Sequence, residues 1–353
     1  MSDFFKTMVK ELNDENTHLL SDGGNSAEFS GWLDTGCFIL NALVSGSLYG
    51  GVPNNKITAL AGEEATGKTF FALGMVNNFL QQNDHGGVIY YDTEAAVTQE
   101  MMSTRNIDVH RVVVSEPQTI QQFRHNALQV LERYTEHKND RPPMMMVLDS
   151  LGQLSSTKEL EDTAAGSETR DMTKAATLKA TFRVLNLKLA KIGVPMLITN
   201  HVYDVVGSYI PTKEMAGGSG LKYSASTICF LTKKKEKDGT EVVGNIIKVR
   251  MAKSRFTKEN KLVEVLLTYD KGLDRYYGLL DIAEKYDIFK KVANRYELQD
   301  GSKVYGKVIQ KDPEKYFTKE VMQQIEKAVE KEFLYGDYVR DTEVQVSEQA
   351  VTK

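Results

Sequence analysis

The stretch Gly62-Glu63-Glu64-Ala65-Thr66-Gly67-Lys68-Thr69 matches G-x-x-x-x-G-K-[ST] at every fixed position and constrains the fold of the chain more than any other feature. Such an octapeptide cradles phosphates only when it links a buried strand to a helix N-terminus. Both flanks comply. Lys56-Ile57-Thr58-Ala59-Leu60-Ala61 is β-branched and apolar enough for a buried strand, and Phe70-Phe71-Ala72-Leu73-Gly74-Met75-Val76 opens an apolar helical run. Gly62 and Gly67 let the backbone curl so that successive N–H groups of Glu63, Glu64, Ala65 and Thr66 converge on one point, where the new helix adds its positive end. Lys68 would reach the β and γ phosphates, and the Thr69 hydroxyl would take a place on Mg²⁺. A glycine-rich turn that binds nothing would leave Lys-Thr after the second glycine unexplained.

From this motif the chain alternates strand and helix. Strands are expected at Gly87 to Asp92, Val112 to Val114, Met144 to Asp149 and Met196 to Asn200. Helices are expected near Thr98 to Arg105, at Thr119 to Glu136 and at Thr169 to Lys191. This is the pattern of βαβ units on a mostly parallel twisted sheet flanked by helices. A hairpin from Thr227 to Lys235 and Val242 to Lys253, then a strand Leu262 to Tyr269, extend that sheet at its edge. Residues 31–271 are read as this core. Residues 272–336 are a small C-terminal α/β domain whose last helix, Asp312 to Lys331, has Asp312 as N-cap and Pro313 at the first position. Residues 1–30 are a short amphipathic helix and a polar linker, suited to contact between subunits. Residues 337–353 are polar and read as a mobile tail.

A phosphate cradle needs a metal partner and a group that activates water. Met144-Met145-Met146-Val147-Leu148-Asp149 is an apolar strand ending in an acid, which places Asp149 to hold Mg²⁺ through its water shell; as a helix N-cap it would do nothing chemical. Asp92 and Glu94 stand at the C-terminal end of another strand, two residues apart, and Glu94 is the better candidate for the general base. Asn200-His201 ends the strand after the next helix. His201 is either structural or a polar sensor beside the γ phosphate.

Composition sets limits on partners. Hydrophobic residues make up 41% of the 353 and charged residues 26%, ordinary for a globular chain. No stretch approaches the ~20 apolar residues of a membrane span. The opening residues are acidic and lack the basic-then-apolar order of a signal peptide, so a cytoplasmic location is expected, host-cell cytoplasm if the gene is a phage's. Cys37 and Cys229 have no partners at ligand spacing, so disulfide and zinc readings fall away. A net charge of −4 makes any polyanion site local. Residues 170–191 carry six bases against Asp171, and 233–261 carry ten against four acids. The second cluster is either a solvated hairpin edge or a binding surface.

With the phosphate loop, Asp92-Thr93-Glu94, Leu148-Asp149-Ser150 and Asn200-His201 in this order, the chain resembles the RecA family of strand-exchange recombinases, and most closely its bacteriophage UvsX members. Asp34-Thr35-Gly36, the run Gly217 to Ser226, Lys253-Ser254-Arg255 and Gly278-Leu279-Leu280-Asp281 have counterparts too, so the likeness covers about residues 31 to 335. The resemblance implies a RecA-like P-loop ATPase core, ATP and Mg²⁺ as ligands, and a helical homo-oligomer on single-stranded DNA that pairs with homologous double-stranded DNA. It implies help from a single-strand-binding protein and a loading mediator. It also implies catalysis by Glu94 with Lys68 and His201, and two DNA loops, about Ser155 to Thr169 and Val202 to Gly218. Gly217, Gly218 and Ser219 would present backbone to DNA phosphates, and Arg183 matches a DNA-contacting arginine. Met101 stands where the family often has a tyrosine stacked on adenine. Lys253 and Arg255 match cations that reach a neighbour's γ phosphate. A ring helicase of related fold, or an ATP-gated mediator without strand exchange, are the competing expectations.

Overall fold

A computed structural model of the chain describes residues 2–14, 16–22, 31–137, 140–167, 171–204, 213–238, 241–268 and 272–336. In chain order its elements begin with helix α1 (Ser2–Leu12), strand β1 (Trp32–Leu33), α2 (Phe38–Ser45), β2 (Val52–Pro53), β3 (Ile57–Gly62) and α3 (Lys68–Gln82). There follow β4 (Gly87–Asp92), α4 (Gln99–Ser103), β5 (Val112–Ser115), α5 (Ile120–Glu136), β6 (Met144–Asp149), α6 (Thr157–Ala164), α7 (Lys174–Ile192), β7 (Met196–Asp204), β8 (Lys213–Met215) and α8 (Ser219–Ser224). Next come the long antiparallel pair β9 (Thr227–Asp238) and β10 (Glu241–Ser254), then β11 (Leu262–Thr268) and β12 (Gly272–Leu273). The chain closes with α9 (Leu279–Lys285), β13 (Lys290–Val292), β14 (Arg295–Glu297), β15 (Lys303–Tyr305), α10 (Gly306–Lys311), α11 (Pro313–Tyr316) and α12 (Lys319–Phe333).

One sheet carries the site. Its order is β12-β11-β10-β9-β3-β7-β6-β4-β5, parallel from β9 to β5 and antiparallel beyond β9, with β8 paired to the end of β7. The strand that leads into the phosphate loop therefore lies in the middle, buried at all six positions. Because side chains alternate across a strand, each central strand feeds two cores. Leu60, Tyr90, Val147 and Leu197 face the side covered by α2, α3 and the C-terminal helices. Ala61, Tyr91, Leu148 and Ile198 face the side covered by α5, α7 and α8.

The structure departs from the sequence reading at four places. The segment between β6 and α7 is not simply a loop: it holds α6, started by a capping box in which Ser156 accepts from the Glu159 amide and Glu159 accepts from that of Ser156. Helix α7 consequently begins at Lys174 rather than Thr169. Strand β7 runs four residues past Asn200 and turns back through β8, Val202 facing Met215. The helix expected from Asp312 is broken at Phe317, and Asp312 makes no side-chain cap. Thr318 starts α12 instead, its hydroxyl accepting from the Val321 amide. The linker at 23–30 and the tail at 337–353 lie outside the described residues.

Helix α12 is fastened to the core by two acids. Glu326 accepts from the Ser47 hydroxyl at 2.5 Å and the Leu48 amide at 2.8 Å. Glu332, nearly buried, takes Lys261 and Lys285 at 2.7 Å each and the Tyr286 hydroxyl at 2.8 Å. Burial opposes the charge on Glu332, but these three donors prevail and hold its carboxyl at about 2.

Candidate functional site

At the C-terminal edge of β3 the backbone turns through Ala65 at φ +56° and Gly67 at φ +85°, and Gly67 becomes the N-cap of α3. A side chain at Gly67 would be strained by the positive φ and would have to displace Leu267 Cδ2, 2.6 Å from the Cβ position. Lys68 is the first residue of α3 and is 7% exposed. Its ammonium donates to the Gly62 carbonyl at 3.1 Å and the Glu63 carbonyl at 2.8 Å, folded back over the curl of the loop. Burial lowers its pKa from the ordinary lysine value against the pull of Glu94, Asp149 and Glu64. Thr66 ties the loop to itself by donating to the Glu63 carbonyl at 2.8 Å. Thr69, half-buried, follows Lys68 on the first turn.

Two strands across, β6 delivers Asp149 beside this turn. Counting alternate residues puts Asp149 on the α3 face, with Val147 below it. Tyr90 from β4 donates its hydroxyl to Asp149 Oδ2 at 2.8 Å, and the Thr199 hydroxyl from β7 donates to Oδ1. Burial, with the charge and hydrogen bond of Asp149, pushes the Tyr90 phenol well above its ordinary value, so it stays a neutral donor.

Asp92 and Glu94 separate as their neighbours dictate. Asp92 is 2% exposed and spends both oxygens on backbone, accepting from the Glu94 amide at 3.0 Å and the Val97 amide at 2.9 Å. It shapes the turn and does not point at the phosphate loop alongside Glu94. Glu94 Oε1 accepts from the Ser150 hydroxyl at 2.6 Å and meets His201 Nε2 at 2.9 Å. Burial alone would raise the Glu94 carboxyl. The hydrogen bonds from Ser150 and His201, with the charges of His201 and Lys68, outweigh it and hold the group below the ordinary carboxylate value. Asn200 Oδ1 accepts from the His201 amide and Asn200 Nδ2 donates to the Ala216 carbonyl, so His201 stands at the root of the β7–β8 hairpin. A second bridge, between Lys213 of β8 and Glu63 of the phosphate loop, joins the same two regions. Lys233 of β9 donates to the Ala65 carbonyl at 3.0 Å.

The remaining sequence-selected residues scatter. Met101 on α4 packs half-buried against the α3-side core beside Phe70, where the Arg105 guanidinium stacks on the Phe70 ring at 4.4 Å and donates to the Met101 carbonyl at 2.8 Å. A groove of about 460 Å³ runs along α3 between Phe70, Gly74, Asn77 and Arg105, and Met101 does not line it. A groove of about 590 Å³ at the opposite edge of the sheet, between Trp32, Asn83, Arg141 and Gly193, contains none of these residues. Arg183 is exposed on α7. Gly217 and Gly218 have φ +84° and +73° and lie against α7, a Gly218 Cβ meeting Ala175 Cβ at 3.3 Å; Gly218 caps α8 and Ser219 begins it. Lys253 and Arg255 are far from Lys68 on the sheet. Ser254 pairs with Thr227, which pairs with Thr58 at the start of β3, whereas the loop leaves the other end at Gly62. Lys253 donates to the carbonyls of Lys222 and Tyr223 at 2.7 and 3.2 Å, closing the end of α8, and burial followed by the charge of Arg255 lowers its pKa. Tyr90, Ser150, Thr199, Lys213 and Lys233 were not singled out from the sequence. A parity count along β4 and β7 could have found Tyr90 and Thr199; nothing local marks the two lysines.

The family model described as the RecA N-terminal domain matches residues 16–274. The chain is 31% identical over 245 residues to the "Recombination and repair protein" of Enterobacteria phage T4, a match covering 69% of this chain and 61%, less than two thirds, of that protein. It is 28% identical over 291 residues to "Protein RecA" of Mycoplasma mycoides subsp. mycoides, covering 80% of each. With "Protein RecA" of Deinococcus radiodurans it shares 29% over 258 residues, 71% of this chain and 67% of the relative.

Proposed function

The chain belongs to the RecA family, and from that premise we propose that it is an ATP-dependent recombinase that assembles on single-stranded DNA and exchanges strands with homologous duplex. The observation that carries this reading is the 2.9 Å contact of Glu94 with His201. It joins the candidate hydrolytic carboxylate to the strand that enters the candidate DNA loop, Val202 to Gly218, so that a shift of either would move the other.

In this reading the loop 62–69 and Lys68 bind the phosphates. Asp149 and the Thr69 hydroxyl are an oxygen-only pair, which suits Mg²⁺ completed by phosphate and water. Among the described residues no group of three or more His, Cys, Asp or Glu is placed to cage a metal alone. Bound there, Mg²⁺ would neutralise phosphate charge. Glu94, kept ionised, takes the proton of the attacking water. Among the described residues both its donors meet Oε1, which leaves Oε2 for that task. Arg183, Gly217, Gly218 and Ser219 hold DNA phosphates, a sequence-indifferent grip. Met101 borders the base.

Lys253 and Arg255 act on a neighbouring copy's nucleotide. Four residues of strand, about 13 Å, separate their level from Gly62, and two strands add about 10 Å sideways. A lysine or arginine cannot span that within its own subunit. A site completed only when two copies meet ties ATP to assembly, and residues 1–30 supply a second contact between copies. A single-strand-binding protein and a loading mediator are the accessory partners. No described helix is long and apolar enough to cross a membrane. Electron microscopy on single-stranded DNA with a slowly hydrolysed ATP analogue, with a strand-exchange assay beside it, tests the proposal. Helical filaments and exchanged strands are expected; closed rings would indicate a helicase, and filaments without exchange a mediator.

A further inference from the structure

Asp149 is held on both oxygens by hydroxyls from its two flanking strands, and both donors are fully buried. Strand β6 lies between β7 and β4. Leu148 pairs with Ile198, so Thr199 stands beside Asp149 on the next residue, and Asp92 pairs with Asp149, so Tyr90 starts two residues lower and reaches up the same face. Both are 0% exposed and Asp149 is 3% exposed. Neither hydroxyl is required by the sheet: apolar residues fill the equivalent inward positions Val147, Leu197 and Val88 on the same three strands. Most buried hydroxyls in folded proteins have a partner, and here two of them converge on one carboxylate.

We propose that Tyr90 and Thr199 are positioning residues that orient Asp149 toward the water shell of Mg²⁺. The inference rests on the ATPase reading above. An ionised carboxylate offers about four lone-pair sites and no proton. Two are occupied by donors from the strands on either side, which fixes the rotation of the group and leaves the others for metal-bound water. A carboxylate acting through water depends on orientation more than on contact, because its partners are themselves mobile. Outer-shell partners of this kind alter metal affinity by roughly 10- to 100-fold when removed.

The test is a Mg²⁺ titration of full-length protein with a fluorescent ADP, read by fluorescence and not by turnover, for Tyr90→Phe, Thr199→Val and Thr199→Ser. Affinity for the ADP probe in EDTA should stay within about twofold of wild type, because Lys68 and the loop amides are untouched, while half-saturating Mg²⁺ rises about tenfold in the first two variants. Thr199→Ser keeps the hydroxyl and should stay close to wild type. Should Tyr90→Phe fail to fold, Thr199→Val carries the comparison. Unchanged Mg²⁺ half-saturation in the folded variants overturns the inference. So does an equal loss of probe affinity with and without metal, the sign of a merely structural role. A wild type whose nucleotide binding is indifferent to Mg²⁺ overturns the ATPase reading and this inference together, before any variant is made.

Discussion

Replacing Glu332 by Gln should loosen α12 from the core in a pH-dependent way. The carboxyl lies at about 2 against an ordinary 4.5, and at ~1.4 kcal/mol per pKa unit that shift corresponds to at most about 3.5 kcal/mol. Lys285 is 56% exposed and Lys261 33%, so solvent screening reduces the expected loss to about 2 kcal/mol at pH 7. The folded-state pKa is depressed, so the stabilisation is fully present above 4.5 and is lost as pH falls toward 2. By pH 3.5 roughly two fifths of it should be gone. Urea denaturation of wild type and Glu332→Gln at pH 7, 5 and 3.5, with amide exchange along residues 319–333 as the local reporter, measures the gap. A difference under about 0.5 kcal/mol at pH 7, or one that does not narrow at pH 3.5, refutes the reasoning and would mean that burial of Phe333 and Ile325 anchors the helix without help from the acid.

Lys68→Ala should abolish nucleotide binding, measured by equilibrium titration; near-normal affinity would remove the phosphate loop from the mechanism. Glu94→Gln should bind ATP and hydrolyse it about 10²- to 10⁴-fold more slowly, and normal turnover would place the base elsewhere. Because the Glu94 carboxyl is held below the ordinary carboxylate value, the wild-type rate should not fall on its account until pH drops below that range; a Glu94-dependent decline near neutrality would contradict this. Alanine at both Lys253 and Arg255 should spare nucleotide binding by the single subunit but abolish DNA-stimulated ATPase, and mixing that variant with Glu94→Gln should restore part of the activity. No recovery in demonstrably mixed filaments would confine these cations to their own subunit.

What the sequence disclosed was what lies close along the chain. The phosphate loop, β3 and the start of α3 form one continuous string of residues, and an apolar run that ends in an acid marks β6 and Asp149 without any knowledge of neighbours. The same local view does not reach the two amide partners of Asp92, from Glu94 and Val97, which depend on how the chain bends after β4. It placed a helix start at Asp312 from a correct Asp-Pro signature, yet Thr318 caps the longer helix and buries Val321 and Ile325; packing overrode the stronger local signal. Helix α6 was concealed inside a segment read as a loop, although its capping box, Ser156 and Glu159, was present in the letters.

Contacts between distant strands lay outside such reading, and they decide how the two ends of the sheet are used. At one end Lys213 reaches Glu63, His201 reaches Glu94 and Lys233 reaches Ala65, so two hairpins separated from the phosphate loop by more than a hundred residues are tied to it directly. At the other end Lys253 is committed to the carbonyls that close α8, whose Gly220 has no room for a Cβ because Lys179 Cα would lie 2.8 Å away. Helix α8 is thus clamped between α7, which carries Arg183, and β10, which carries Lys253. Two paths of contact lead from the 213–218 segment through the subunit: to Glu94 through His201, and through α8 to the edge that carries Lys253 and Arg255. In the proposed assembly, with DNA on the 213–218 segment and ATP between copies, this second path would connect DNA on one subunit to the nucleotide of the next.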